Sequence, residues 1–224
     1  PIMNQFWLIA ISSLATAAAL SCRNPEDQWT SGGALSAQQK AKIVEVHNAM
    51  RNKVASGGEP GQPPAQNMRE MVWDENLARQ AQKWADNCIF EHDPDISKPN
   101  SEGDYVGQNL FLAFTDSRTE VDNLNVEGGV MAWYNEVHDN YQFQEITIEN
   151  YFPTGHYTQM VWADTYKVGC GYTAYKNGEW YNQLLACNYF KSGNEVGKAP
   201  YVSGKPNCKK FNLNQSKKFN SLCV

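Results

Sequence analysis

Apolar residues recur at helical spacing in three stretches of the chain. Ile43, Val46, Met50 and Val54 fall three or four positions apart behind a Ser36/Gln39 capping-box pair, which predicts a helix over residues 36–56. The Gly- and Pro-rich residues 57–64 cannot continue it and read as a loop within one domain. A second helix is predicted to open at Asp74 as N-cap, with Leu77, Ala78, Ala81, Trp84, Ala85 and Cys88 on one stripe. A third, near residues 127–140, places Val130, Trp133 and Val137 together. Residues 106–114 read as a short apolar strand. Residues 167–176 and 180–189 read as a hairpin around Asn177-Gly178-Glu179. With Gly178-Glu179 as the loop, Cys170 faces Cys187 directly. With Asn177-Gly178, the two are diagonal neighbours on the same face, so either register allows a bridge. Helices with a hairpin-rich sheet make an α+β sandwich.

The N-terminus departs from this patterning. Phe6 to Leu20 is an apolar run of 15 residues that ends in Ala15-Thr16-Ala17-Ala18-Ala19. It is short for a membrane span, and its small-residue end suits signal peptidase. Residues 1–21 are therefore expected to be a signal peptide, with Met3 as a candidate start, followed by a polar linker over 22–35. Cys22, Cys88, Cys170, Cys187, Cys208 and Cys223 make an even count, which points to three bridges in an oxidising compartment; six cysteines allow 15 pairings. No CxxC spacing occurs, so a structural zinc knuckle is not expected.

Hydrophobic residues make up 42% of the 224, enough for one sizeable core. A net charge of -5 and a pI near 5.4 argue against a surface built for phosphate backbones or anionic lipid, so nucleic acid is not an expected partner.

From Gly155 the chain reads Gly-His-Tyr-Thr-Gln-Met-Val-Trp-Ala-Asp-Thr to Thr165, and from Leu184 it reads Leu-Leu-Ala-Cys-Asn-Tyr to Tyr189. The first resembles, position by position, the leading signature of the CAP superfamily, which contains pathogenesis-related-one proteins, antigen-five allergens and cysteine-rich secretory proteins. The second resembles the other signature and departs from it afterwards, at Lys191 and Glu195. Shorter segments agree: His47-Asn48-Ala49-Met50-Arg51, Gln66-Asn67-Met68, Trp73-Asp74, Cys88 to Asp93, Gly107-Gln108-Asn109-Leu110 and Trp133-Tyr134-Asn135-Glu136. The resemblance covers residues 36–195, taken as the CAP domain, with 196–224 as a C-terminal extension. It is strongest to the antigen-five-like proteins of arthropod venom and saliva. It implies a three-layer α-β-α sandwich, with Cys22–Cys88 and Cys170–Cys187 paired and Cys208–Cys223 closing a small C-terminal loop. The dense cysteine module tied to ion-channel block in one branch of the family is missing, which disfavours a channel-directed toxin. Asn214-Gln215-Ser216 is a glycosylation sequon if the chain is secreted.

The resemblance also implies a cleft lined by two histidines and two acidic residues, which carry over as His92, His156, Glu136 and the position of Gln108. Two imidazoles and a carboxylate suit zinc or another divalent cation; an amide at 108 weakens that site, and no cofactor is expected to be required. Glu136 lies beside the buried stripe and needs a partner, for which His156 is the candidate. His47 is assigned to packing and His138 to a solvated helix face. Neither GxSxG nor HExxH occurs, and the cysteines are accounted for by bridges, so catalysis would reduce to a metal-bound water with Glu136 as base. The expected function is instead non-enzymatic: a secreted, monomeric protein, not integral to a membrane, binding a sterol or other lipid or a host or prey surface protein. The resemblance places sterol contacts in the aromatic segment before the histidine signature, here Tyr141, Phe143, Tyr151 and Phe152.

Overall fold

The computed structural model describes residues 22–96, 104–121, 123–139 and 141–224. The expected signal peptide lies outside them. In chain order the elements are β1 (Gln28–Gly33), α1 (Ala37–Ala55), β2 (Val72–Trp73), α2 (Glu75–Ala85), β3 (Gly107–Thr115), α3 (Arg118–Val121), α4 (Val126–Asn135), α5 (Ile148–Tyr151), α6 (Gly155–Met160), β4 (Lys167–Asn177) and β5 (Trp180–Phe190). Single 3-10 turns follow α4 at Glu136–His138 and occupy Cys208–Phe211.

The sheet runs β1-β4-β5-β3, antiparallel throughout, with the short β2 parallel to β4. Asn177 pairs with Trp180, so Gly178-Glu179 is the hairpin loop, and Cys170 stands opposite Cys187. That register selects between the two the sequence allowed. Alternation along β5 divides the core: Leu185, Cys187 and Tyr189 face α1, α4 and α6, while Leu184 and Ala186 face the side of α2. The result is an α+β molecule with helices on both faces of an antiparallel sheet.

Local chemistry accounts for the helix ends. Ser36 caps α1 in a complete capping box with Gln39, and Asp74 accepts the amides of Asn76 and Leu77 at the start of α2. The third predicted helix ends its α-helical geometry at Asn135 and tightens into the 3-10 turn that carries Glu136. Close approach of α2 to the sheet depends on Gly169 and Gly171, where an added Cβ would fall 2.3 Å from Ala78 N and from Gln82 Cα respectively. There Gln82 clamps both the N–H and the C=O of Tyr172, at 3.0 and 2.8 Å.

Two regions differ from the sequence reading. Residues 28–33 within the expected linker form an edge strand on β4, held by main-chain pairing that their polar, Gly-ending sequence does not advertise. Residues 201–223 of the C-terminal extension pack into the domain: Tyr201, Leu222 and Cys223 are buried, and Cys223 exchanges main-chain bonds with Met68 and Glu70 at 2.8 and 2.7 Å. All three disulfides are present: Cys22–Cys88, Cys170–Cys187 and Cys208–Cys223.

Candidate functional site

Arg51 of α1 sets the backbone beneath the site. It is fully buried and donates to the carbonyls of Arg69, Met160, Trp162, Ala163 and Thr165, so one guanidinium gathers α6, the turn after it and the 69–71 segment. Burial lowers its pKa, and the carbonyl contacts favour the cation. Nearby His47 is also fully buried. Its Nδ1–H donates to Ile43 O at 2.8 Å, which leaves Nε2 to accept from Tyr189 Oη at 2.9 Å. Asn109 bridges Tyr189 to the carbonyl of His156. The assignment of His47 to packing agrees with this geometry. His138 is exposed, with its Nε2 3.5 Å from the buried carboxylate of Glu59, which also accepts from Lys53 and Tyr134.

The four residues carried over from the resemblance fall into two hydrogen-bonded pairs, His156 with Glu136 and His92 with Gln108. In one, His156 Nδ1 and Glu136 Oε1 are 2.6 Å apart, and Glu136 Oε2 accepts the amides of His156 and Tyr157, both at 3.0 Å. Glu136 thus ties the 3-10 turn to the first turn of α6, and three N–H donors occupy its carboxylate. In the other, Gln108 Oε1 accepts the Asp93 amide at 3.1 Å and stands 2.9 Å from His92 Nδ1; Gln108 Nε2 donates to Asn188 Oδ1 at 3.0 Å. Because the Asp93 amide can only donate, the atom it meets is the Gln108 oxygen, and His92 Nδ1 therefore carries a proton.

These hydrogen bonds limit what the set can offer a metal ion. The Glu136 carboxylate and the Gln108 carbonyl are each already engaged by N–H donors, which leaves Nε2 of His92 and of His156 as free lone pairs. Among the described residues no group of three or more His, Cys, Asp or Glu is placed to hold a metal. Glu136 Oε2 is taken up by two amides, while Oε1 accepts from His156 alone.

Beside the His92–Gln108 pair opens a groove of about 520 Å³. Its lining combines polar side chains, among them His92, Gln108, Gln159, Ser192 and Asn194, with apolar ones, among them Ile146, Ile148, Tyr151, Phe152 and Val196. Glu136 and His156 do not line it. Phe152, Val196 and Ile148 are 80, 70 and 69% exposed, a rim of large apolar side chains open to solvent. The aromatic segment splits accordingly. Tyr151 and Phe152 border the groove, whereas Tyr141 and Phe143 do not: Tyr141 packs on Tyr157 at 5.0 Å between ring centres, and Phe143 on Tyr201 at 4.6 Å. Ile148 lies within the segment from Tyr141 to Phe152 that the resemblance singles out, whereas Gln159 and Val196 were missed. Gln159 lies inside the first signature and was there to be found; Val196 joins only through the bonds between Ile146 and residues 197–198.

The chain matches the family model described as CAP, cysteine-rich secretory protein family, over residues 44–189. It is 39% identical to the salivary antigen-5 of Dipetalogaster maximus over 98% of this chain and 88% of that one. It is 41% identical to a venom allergen 5 of Vespula maculifrons over 71% of this chain and 70% of the other. Among solved structures it resembles that of NaASP2 with Zn2+, with a TM-score of 0.71 and 28% identity, covering 85% of this chain and 97% of that one. BmVAL-1 superposes with a TM-score of 0.73 at 25% identity, covering 85 and 96%. By its fold, its two signatures and these relatives, the chain belongs to the CAP family.

Proposed function

We propose that this chain is a secreted, non-catalytic binding protein that holds a sterol or another amphipathic lipid in the groove between His92 and the Ile148–Phe152 rim. The observation that carries this reading is the rim itself, three large apolar side chains left in water around a groove that polar side chains also line. Covering one Phe or Ile side chain contributes about 1.5–3 kcal/mol, so a ligand that shields them has an ample driving force. The polar lining suits the single hydroxyl or headgroup of an amphipathic molecule, with His92 Nε2 as acceptor and the remaining amides and hydroxyls as further partners. The volume lies within the usual range for small-molecule sites. Secretion is supported by the three disulfides and by relatives named as salivary and venom proteins. No described helix is long and apolar enough to cross a membrane.

Hydrolysis has less support, because the one carboxylate proposed as base is engaged by three donors. The test is a titration of the purified chain with a fluorescent sterol and a fluorescent fatty acid, repeated with Ile148→Ser and Phe152→Ser. Both residues are exposed, so the variants keep the fold. One of the two ligands is expected to bind, with affinity reduced about tenfold or more in each variant. Unchanged affinity in both variants would overturn the placement.

A further inference from the structure

The net charge of -5 conceals a separation within the chain. Residues 196–224 contain six lysines and no Asp or Glu, so all twenty-four acidic residues lie in 1–195, against thirteen basic ones. Lys198 pairs with Glu195. The other five, Lys205, Lys209, Lys210, Lys217 and Lys218, are exposed, and none makes an ion pair among the described residues. Lys210 reaches Gln66 Oε1 at 3.1 Å, and Lys210 and Lys218 lie over the rings of Phe211 and Phe219. The carboxylate in contact with this segment, Glu70, accepts from the Ser216 hydroxyl.

The segment is also rigidly mounted. Cys208–Cys223 closes it, and Asn214 and Val224 exchange two main-chain bonds at 2.8 Å. Main-chain bonds also join Val202 and Asn207 to Gln66 and Cys223 to Met68, and Ser221 N–H donates to Asn52 Oδ1. Five ammonium groups are therefore presented on a backbone already ordered, and binding need not pay for ordering it.

We propose that residues 205–218 form a docking surface for a sulfated glycosaminoglycan. Lysine is a point charge that tolerates varied geometry, which suits a chain of sulfates with no fixed register. Phe219 packs against the core and Phe211 is half-buried, so neither ring projects as an anchor into a bilayer. A soluble polyanion fits this better than a membrane. The acidic remainder repels the same polyanion, so the molecule is steered to approach by this end alone.

The experiment is heparin-affinity chromatography and surface binding with the full disulfide-bonded chain. The native protein is expected to be retained on heparin beyond about 0.15 M salt, with an affinity that falls linearly in log–log salt plots. Lys209→Gln/Lys210→Gln and Lys217→Gln/Lys218→Gln should each weaken binding, and all five lysines replaced together should weaken it at least about tenfold. Lys40→Gln/Lys42→Gln/Lys83→Gln should leave retention unchanged, as should Phe152→Ser, which separates this surface from the groove. Hyaluronan, which carries carboxylates without sulfate, should bind at least about tenfold more weakly than heparin. The proposal is overturned if the native chain passes heparin unretained at low salt, or if the control and patch variants behave alike. Tighter binding to phosphatidylserine vesicles or duplex DNA than to heparin would also overturn it.

Discussion

His47 makes the acid response of this fold predictable. Its ring is fully buried, and desolvation pushes its pKa down to about 4 against an ordinary value near 6.5. The unfolded chain therefore takes up a proton that the folded one refuses, and stability falls as the pH drops from about 6.5 to about 4. The span corresponds to ~3 kcal/mol, all of it present above pH 6.5. Denaturant titrations at pH 7 and pH 4.5 should show that loss, and His47→Gln should remove most of the difference whatever its own effect at pH 7. Residue-level legibility was uneven. The need of Glu136 for a partner, and His156 as that partner, followed from its place beside a buried stripe. The occupation of its second oxygen by the amides of α6 did not, because it depends on a helix of six residues too short to leave a periodic signature.

At the scale of elements, the long periodic ones were legible and the short ones were not. α1 falls within a residue of its expected bounds and α2 starts where expected, because capping side chains mark their starts; α2 ends at Ala85, three residues short of Cys88, which has left the helix with a φ of 59°. The hairpin followed from two apolar runs around a Gly-containing turn. β1 escaped because Gln28-Trp29-Thr30-Ser31-Gly32-Gly33 carries no alternation, and its strand conformation is imposed by β4. The packing of α2 on β4 gives a sharp test. Gly171→Ala places a methyl group against the backbone of Gln82, and since neither strand nor helix can yield locally, the gap between layers must widen. A loss of about 1–3 kcal/mol in thermal or chemical denaturation is expected, with the Gln82–Tyr172 clamp weakened.

For the molecule as a whole, a net charge does not record how charge is distributed along the chain. The net charge of -5 argued against a surface built for phosphate backbones or anionic lipid, while residues 196–224 carry six lysines and no Asp or Glu on a segment bonded into the domain. The groove was half legible: two of the shorter matching segments and the aromatic segment bring His92, Gln108, Tyr151 and Phe152 into view. Its rim assembles from residues 146–152 and 192–196 by main-chain bonds that no local pattern records.

Where the ligand sits is read by photolabelling the purified chain with a sterol and a fatty acid that carry a diazirine in the apolar body, followed by mapping of the labelled peptides. The account predicts saturable labelling concentrated in residues 146–152 and 192–196 and lost in Phe152→Ser. Saturable labelling confined to the surface between α1 and α4, or labelling of neither probe above background, would contradict it.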